Sequence, residues 1–425
     1  MPMSPAFQAR LQPHLPRIVR EFGTPFHLYD EQGIIDTCQR MKTAFGRLPG
    51  YLNYFAVKAL PNPRVLKLIH EQGFGFDCSS VPELNLAREA GARWHEIMFT
   101  SNNTSPEEFA CAMAGDGCYI NLDDVSLIRK VPEPFPSFVS FRYNPGKART
   151  GNSIIGKPHE AKYGITTAQL IPAYREAIAR GASGFGLHAM LCSNERRVAY
   201  MVETVKMLLD VCAMLEEKLD IQCAFINMGG GFGIPYRPGD RHLNLELMAR
   251  RICSLMQVFS TKYGFTPRLV SECGRFVTGP SGVLVSQVTN QKLIWERHVQ
   301  IDAGMPALMR HAMYGAYHHI DVLTQDGEMR EGNRVRVNVV GSICENCDRL
   351  ATHRLLPADV QEGDLIVTHD TGAHGIAMGF NYNGRTRPQE LMLRANGSIE
   401  LIRRAETEKD LRATLSFAPR AVLLD

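Results

Sequence analysis

The stretch Tyr54-Phe55-Ala56-Val57-Lys58-Ala59-Leu60-Pro61-Asn62 combines an apolar, β-prone run with a single lysine and a Pro-Asn break. Lys58 is therefore expected at the carboxyl end of a buried strand, with an amphipathic segment after it. Burial disfavours the ammonium form and lowers the pKa of a lysine, so Lys58 is a candidate nucleophile or Schiff-base former. Taken alone, the stretch also fits a strand-end lysine whose amine reaches solvent.

Short apolar runs alternate with helical patterns from about residue 50 onward. The predicted strands are Leu52–Val57, Phe74–Cys78, Ile97–Thr100, Cys118–Leu122, Phe138–Tyr143, Gly184–Leu191, Ala224–Met228 and Arg268–Glu272. Segments with apolar residues at i, i+3 and i+4 separate most of them, and the longest runs from Val198 to Leu219. Eight buried strands alternating with helices predict an α/β fold of the (β/α)₈ TIM-barrel type. An open doubly wound sheet would usually carry G-x-G-x-x-G after its first strand, and that motif is missing there.

The pattern changes after Glu272, where helical periodicity is weak until the end of the chain. Six further strands are predicted: Gly282–Val288, Leu293–Ile301, Arg334–Val340, Asp364–His369, Glu390–Arg394 and Ile399–Arg403. We therefore predict a barrel domain over residues 30–279 and a second, mostly β domain over residues 280–425. The strand-like opening segment Pro25–Tyr29 fits either part, and residues 1–29 are assigned to the β domain.

Composition excludes several classes of function. The 47 basic and 44 acidic residues give a formal net charge of +3, and no run of like charge indicates a nucleic-acid or membrane surface. The first 22 residues lack an apolar core of signal-peptide length, and no later run is long enough to span a bilayer. The eleven cysteines are scattered, and the pair Cys344 and Cys347 has no second pair at zinc-ribbon spacing. We expect a cytoplasmic protein with reduced thiols, no metal, and a small molecule as its ligand.

The active site of a (β/α)₈ barrel forms at the carboxyl ends of its strands. Read in order, these ends carry Lys58, Asp77, Arg142, His188, the run Gly229-Gly230-Gly231, Glu272 and Arg275. Each has an ordinary structural explanation when taken singly. Asp77 could cap a helix, His188 could be a hydrogen-bonded core residue, and the glycines could make a tight turn.

Taken together, these residues indicate a particular cofactor. Glycine N–H groups at a strand end can bind a phosphate, and Arg275 could add a bidentate contact to a phosphate or carboxylate. A carboxylate such as Glu272 could keep a heteroaromatic nitrogen protonated. A lysine, a phosphate-binding loop and an acid facing a ring nitrogen are the groups that pyridoxal 5'-phosphate requires, because its protonated ring stabilises a carbanion at the substrate Cα.

Motifs in a fixed order extend this pattern over nearly the whole chain. They are Tyr54–Ala59, Phe76–Leu84, Asn227–Gly231, Glu272–Phe276, Asp302–Met305, Leu308–Arg310, Ala312–His318, Cys344-Glu345, Tyr382-Asn383, Arg385 and Arg387-Pro388. In these motifs the sequence resembles the fold-type III pyridoxal-phosphate-dependent decarboxylases, and within them most closely the diaminopimelate decarboxylases. The resemblance implies an alanine racemase-like barrel with a β-sandwich or β-barrel domain.

The resemblance also implies roles for individual residues. Lys58 would bind the cofactor covalently. The other residues around the cofactor would be Asp77, His188, Met190, Ser193, Gly229, Gly230, Gly231, Glu272, Arg275, His374 and Tyr382. The distal carboxylate of the substrate would be bound by Arg275, Arg310 and Tyr314. Cys344, a proton donor, and Glu345, a partner for the distal amine, would come from the second subunit of a homodimer with shared active sites.

Two residues depart from the family pattern close to the cofactor. Met190 stands where His-x-His-x-Gly-Ser has its second histidine, and His374 replaces the tyrosine of Gly-Ala-Tyr. A thioether can lie against an aromatic face, but it lacks the hydrogen bonds and charge of an imidazole.

We therefore expect α-decarboxylation of an amino acid with two polar ends, either meso-diaminopimelate, which would give L-lysine in lysine biosynthesis, or a close relative. One alternative is a divergent paralogue acting on a related diamino acid in a toxin, antibiotic or siderophore pathway. Another is a catalytically silent homologue that regulates a true decarboxylase. A racemase would leave the residues for a distal carboxylate without a purpose.

Overall fold

A computed structural model describes residues 3–151 and 156–415 of the chain. These residues divide into two units, one of residues 32–280 and one made of the segment before Gln32 together with the residues from Ser281 onward. Among the described helices, none has an apolar stretch long enough to cross a bilayer.

The strands are given in chain order. They are β1 (Phe26–Asp30), β2 (Leu52–Ala56), β3 (Gly75–Cys78), β4 (Ile97–Ser101), β5 (Tyr119–Leu122), β6 (Phe138–Arg142), β7 (Gly184–His188), β8 (Phe225–Asn227), β9 (Arg268–Ser271), β10 (Gly282–Leu293), β11 (Arg297–Ile301), β12 (Ile320–Leu323), β13 (Arg334–Val340), β14 (Arg349–Pro357), β15 (Leu365–His369), β16 (Gln389–Leu393) and β17 (Ile399–Arg403).

The α-helices follow the same order. They are α1 (Pro5–Leu11), α2 (Leu15–Phe22), α3 (Glu31–Phe45), α4 (Pro63–Glu71), α5 (Val81–Glu89), α6 (Pro106–Met113), α7 (Thr167–Ala179), α8 (Val198–Leu219), α9 (Leu245–Tyr263), α10 (Arg275–Thr278), α11 (Arg310–Tyr314) and α12 (Glu408–Arg412).

In the first unit, β2 to β9 form a closed barrel in which every strand runs parallel to its neighbours, and β2 pairs with β9 to complete the ring. This confirms the predicted eight-stranded barrel. A helix follows each strand except β5, after which the chain makes a 3₁₀ turn at Val125–Lys130. The strands have apolar sequences because each contacts the barrel interior on one face and the helices on the other.

An apolar layer fills the interior of the barrel. Tyr54, Met98, Phe225 and Val270 form one buried cluster, and Leu52, Tyr119 and Phe138 pack against it. The ring centroids of Tyr119 and Phe138 lie 5.4 and 5.5 Å, respectively, from that of Phe225. Gly186 belongs to the same layer, since a Cβ there would come within 2.4 Å of the Phe225 ring. This layer makes the barrel a packed core, so a ligand has room only beyond it.

The second unit is built on a nine-stranded sheet with the order β14-β13-β11-β10-β1-β16-β17, in which β15 pairs with both β10 and β12. Strand β1 lies inside this sheet, antiparallel to β10 and parallel to β16. The predicted mostly β domain is therefore confirmed as a separate sheet. Strands β12 and β14 were not predicted, and β10 extends five residues beyond its predicted end.

Candidate cofactor site

Next to the apolar layer, toward the carboxyl ends of the strands, the side chains inside the barrel are polar. Side chains two positions apart on a strand point the same way, and the positions two residues after Met98, Tyr119, Gly186, Phe225 and Val270 are Thr100, Asn121, His188, Asn227 and Glu272. All five of these polar residues are buried. Asn121 Nδ2 donates to Thr100 Oγ1 at 3.3 Å and lies 2.7 Å from Nδ1 of His188, and Asn227 Nδ2 donates to Glu272 Oε1 at 2.7 Å. We call these five residues the polar layer, and it lies at the catalytic end of the barrel.

Lys58 follows β2 in a short 3₁₀ turn, Val57–Ala59. Its Nζ lies 3.4 Å from Oδ2 of Asp77 on the neighbouring strand β3, and the lysine side chain is 53% exposed while that of Asp77 is buried. The Asp77 carboxylate raises the pKa of Lys58, and this effect exceeds the opposite effect of burial. The sequence-based prediction of a lowered lysine pKa is therefore wrong, because it considered burial without the acid on the next strand.

Asp77 itself has an unusual environment. Burial and then the negative charge of Glu272 raise the pKa of Asp77 to about 7, although Lys58 acts in the opposite direction. Oδ1 of Asp77 is buried and has no hydrogen-bond partner among the described residues. The prediction that Asp77 could be a helix cap does not hold, since Ser80 is the N-cap residue of α5.

The substitution Asp77→Asn is expected to lower the pKa of Lys58, because it removes the largest single influence that favours the ammonium form. The measurement is the pH dependence of the rate at which an amine reagent modifies Lys58 in the protein without cofactor, followed by mass spectrometry of the peptide. Glu83→Gln is a matched control, since Glu83 raises the pKa of Lys58 less than Asp77 does. An unchanged profile in Asp77→Asn would contradict the assignment.

Glu272 follows β9 directly and is buried in the polar layer. Its Oε2 lies 3.3 Å from Nε2 of His188, an ion-pair contact rather than a well-aligned hydrogen bond. Burial acts to raise the pKa of Glu272, but His188, Lys58 and Arg142 together hold it at about 2. Glu272 is therefore an anion at neutral pH, as an acid that faces a protonated ring nitrogen must be.

The three glycines after β8 are required by close packing of the backbone. A Cβ at Gly229, Gly230 or Gly231 would lie 2.4–2.5 Å from a carbonyl oxygen of a neighbouring segment, and Gly229 and Gly231 have positive φ values of 68° and 86°. The N–H of Gly229 donates to Asn227 Oδ1 at 2.9 Å, and the N–H of Gly230 lies 3.2 Å from Sδ of Met190. Met190 thus contacts the glycine loop through its sulfur.

Ser193 and Arg275 lie close together near this loop. Nη2 of Arg275 donates to Oγ of Ser193 at 3.3 Å, and Nη1 donates to the hydroxyl of Tyr236 at 2.6 Å. All three side chains carry groups that suit a phosphate or carboxylate. Tyr236 was not identified from the sequence, because it lies in a loop without periodicity or a recognisable motif.

Two predicted substrate-binding residues, Arg310 and Tyr314, lie at opposite ends of the short helix α11 in the second unit. Arg310 is only 2% exposed and its Nη1 lies 2.8 Å from Nε2 of His318, whereas Tyr314 is 46% exposed. Burial raises the pKa of the carboxyl group of Asp370 well above its ordinary value, and the positive charge of Arg310 acts in the opposite direction. One short helix thus carries a buried guanidinium and an exposed phenol.

Three other predicted residues are brought together elsewhere in the second unit. The exposed Cys344 has its Sγ 3.8 Å from the hydroxyl of Tyr382, which is 50% exposed, and its N–H donates to Asn383 Oδ1 at 3.0 Å. Cys344 and then Glu345 raise the pKa of Tyr382. His374, the remaining predicted residue of this unit, is half-buried and has a left-handed backbone with φ of 57°.

The residues of the barrel fit pyridoxal 5'-phosphate. The site offers a half-exposed lysine amine, a buried carboxyl oxygen of Asp77 without a partner among the described residues, and an ionised Glu272. The glycine loop brings backbone N–H groups to the same end of the barrel, with Ser193 and Arg275 close together nearby. This donor set matches an aldehyde, a ring nitrogen and a phosphate.

Sequence reasoning found the residues at the strand ends but missed Thr100 and Asn121 of the polar layer and gave Asn227 no role. Each is a single polar residue in an otherwise apolar strand, and one such residue does not by itself indicate a functional site. The signal that could have found them is their position, two residues after Met98, Tyr119 and Phe225 respectively.

Comparison with known proteins supports the same reading of the site. A family model described as the pyridoxal binding domain of the pyridoxal-dependent decarboxylases matches residues 31–279. Protein TabA from Pseudomonas amygdali pv. tabaci is 43% identical over 420 residues, covering 99% of this chain and 97% of that protein. The diaminopimelate decarboxylase of Methanothermobacter thermautotrophicus is 32% identical over 397 residues, covering 92% of this chain and 91% of the relative.

Solved structures show the same relationship. The diaminopimelate decarboxylase of M. jannaschii in complex with L-lysine superposes with a TM-score of 0.87 at 28% identity, covering 95% of this chain and 94% of that one. Together with the barrel and its polar layer, these similarities show that the chain belongs to the pyridoxal-phosphate-dependent decarboxylases, in the family of diaminopimelate decarboxylase.

Proposed function

We propose that this protein removes the α-carboxylate of meso-diaminopimelate and so forms L-lysine, as a step of lysine biosynthesis. Two separate observations support the proposal: the barrel contains an ionised Glu272, and a short helix of the second unit carries both Arg310 and Tyr314. The first suits the cofactor and the second suits a substrate with a carboxylate at its far end.

The proposed roles in the barrel follow from the charges of the polar layer. Lys58 holds the cofactor through its amine, and Asp77 beside it takes up or returns a proton near neutral pH, since its pKa is about 7. Glu272 keeps the ring nitrogen protonated. The glycine loop, Ser193 and Arg275 hold the phosphate. When bound, pyridoxal 5'-phosphate supplies the electron-accepting ring that stabilises negative charge at the substrate Cα.

The proposed substrate contacts depend on charge and on hydrogen bonding. Arg275 and Arg310 would bind the distal carboxylate, and Tyr314 would donate its hydroxyl to it. We further propose a homodimer in which Cys344 of the partner subunit protonates Cα and Glu345 of the partner subunit binds the distal amine. Support comes from the exposed positions of Cys344, Glu345 and Tyr382 close together in the second unit.

A second candidate function is decarboxylation of a related diamino acid in a specialised pathway. Two observations favour it: Met190 and His374 replace the imidazole and phenol expected near the cofactor, and the identity to Protein TabA is 43% against 32% to the diaminopimelate decarboxylase described above. Met190 and His374 leave Arg310 and Tyr314, the proposed residues for the distal carboxylate, unchanged, so this substrate would also have two polar ends.

The test is CO₂ release from meso-diaminopimelate, lysine, ornithine and a panel of modified diamino acids. We expect meso-diaminopimelate to be turned over and lysine and ornithine to be poor substrates. Tyr314→Phe should raise KM for meso-diaminopimelate about tenfold through one lost hydrogen bond to a charged group, whereas the control Tyr317→Phe should not.

Other results have distinct meanings. A modified diamino acid preferred over meso-diaminopimelate, together with a rise in diaminopimelate turnover in Met190→His, would replace the first function with the second. Absence of CO₂ release from every compound by a cofactor-loaded protein would favour the silent regulatory homologue.

A further inference from the structure

We propose that Asn121 is a positioning residue for the cofactor, because it orients the imidazole of His188 and thereby keeps Glu272 in the form that binds a protonated ring nitrogen. This inference rests on the proposed function, in which Glu272 faces that nitrogen. Asn121 lies on β5 and Glu272 follows β9, so the influence passes through His188 on β7.

The geometry leaves His188 little freedom. Its ring is 1% exposed, with Nδ1 2.7 Å from the amide nitrogen of Asn121 and Nε2 3.3 Å from Oε2 of Glu272. The second oxygen of Glu272 is occupied by Asn227 at 2.7 Å. Both oxygens of the acid are therefore oriented by buried neighbours, and Asn121 is the side chain that contacts the far nitrogen of the histidine.

The amide of Asn121 can face His188 with either its NH₂ or its carbonyl group. With the NH₂ group toward Nδ1, that nitrogen accepts, so the hydrogen of the neutral ring is on Nε2. With the carbonyl toward Nδ1, that nitrogen carries a hydrogen, and a bare Nε2 would face a carboxylate, so Nε2 is protonated as well. The carbonyl orientation also gives Oδ1, which is otherwise buried without a partner among the described residues, two donors in Thr100 and His188.

Both orientations lead to the same consequence for Glu272. In either case Nε2 carries a hydrogen and lies 3.3 Å from Oε2 of Glu272, and this close contact, although not a well-aligned hydrogen bond, stabilises the anion together with the positive charges of Lys58 and Arg142. The negative charge of Asp77 acts in the opposite direction. Without Asn121 the ring could turn or place its bare nitrogen toward Glu272, which would weaken the preference for an anion there.

Asn227 extends the influence to the phosphate end of the site. Its side chain donates to Glu272 and accepts from the N–H of Gly229, so one amide connects the acid with the glycine loop. An acid held in a single orientation thus also fixes the start of that loop. Asn121 acts at the other end of this row of contacts, through His188.

The test compares two aldehydes, pyridoxal 5'-phosphate and its carbocyclic analogue, which has a CH group in place of the ring nitrogen. Both are titrated into protein stripped of cofactor, and the dissociation constants are compared. The wild-type protein should prefer pyridoxal phosphate. In Asn121→Leu the affinity for pyridoxal phosphate should fall about tenfold, while the affinity for the analogue should change less than twofold.

Three further variants make the result interpretable. Asn121→Asp retains an acceptor for Nδ1 and should restore most of the preference. Asn121→Ala, which also removes the amide, should lose the preference as Asn121→Leu does, and it serves as the test if Asn121→Leu does not fold. Ser140→Ala, at a buried hydroxyl of β6 that has no partner among the described residues, should leave both affinities unchanged.

Equal losses of affinity for the two aldehydes in the Asn121 variants would overturn the inference, because a merely structural role would affect both. An unchanged preference in Asn121→Leu would overturn it as well. If the wild-type protein bound both aldehydes equally, the role of Glu272 in the proposed function would itself be refuted, and that outcome is distinguishable because it needs no variant.

Discussion

Lys58→Ala is expected to abolish the absorption band of the protein-bound cofactor near the edge of the visible range and to reduce CO₂ release by more than about a thousandfold. A loss of that size corresponds to about 4 kcal/mol of barrier. The physical reason is that the amine of Lys58 lies at the end of β2, paired with Asp77 and half exposed toward any ligand at the barrel mouth. No other lysine is among the residues that the structure places at this site.

The matched control is Lys67→Ala, which removes an exposed lysine of α4 a short distance along the same segment. It should retain both the absorption band and the rate. Borohydride reduction of the wild-type protein, followed by peptide mass spectrometry, should label Lys58. Labelling of a different lysine, or a band that persists in Lys58→Ala, would show that the cofactor is attached elsewhere.

Glu272→Gln is expected to lower the rate of CO₂ release about 100-fold, which corresponds to about 2.7 kcal/mol. Glutamine preserves the size of the side chain and the bond from Asn227 but removes the negative charge that would hold a ring nitrogen protonated. The exposed Glu246→Gln on α9 is the control and should have no effect. Wild-type rates in Glu272→Gln would refute the assigned role.

The pH dependence of Glu272 provides a second measurement. Its pKa, about 2, lies below the ordinary value of a glutamate, so the ionised form stabilises the fold fully above about pH 4.5, and this contribution is lost as the pH falls toward 2. The difference in free energy of unfolding between the wild-type protein and Glu272→Gln should therefore shrink as the pH is lowered from 5 to 3. Urea unfolding at a series of pH values measures it.

Hydrophobic patterning predicted the barrel well because its strands are buried on both faces and read as continuous apolar runs. The second unit was harder to predict. Strand β14 contains His353 in a left-handed conformation, with φ of 48°, at an irregularity in its pairing with β13, so its alternation is broken. Strand β12 is four residues long and pairs with β15.

The sequence predicted which residues lie at the candidate site but not how they affect one another. The strand ends identified Lys58 and Glu272 by position and residue type. The raised pKa of Lys58 depends on Asp77, a neighbour across β2 and β3 that becomes adjacent only when the two strands pair. The contribution of Asn121 likewise depends on a contact across the barrel. Contacts between two strands that are far apart in the sequence cannot be predicted from the sequence of either strand alone.

The position of β1 within the sheet of the second unit has a consequence for synthesis on the ribosome. The strands of the barrel are contiguous from β2 to β9 and can close as soon as they emerge. Strand β1 is made before the barrel strands, yet Phe26 pairs with Val285 on one side and with Gln389 on the other. Strand β1 must therefore wait until β10 and β16, which follow the whole barrel in the sequence, have been made, and closing so long a loop makes this sheet the slower one to assemble.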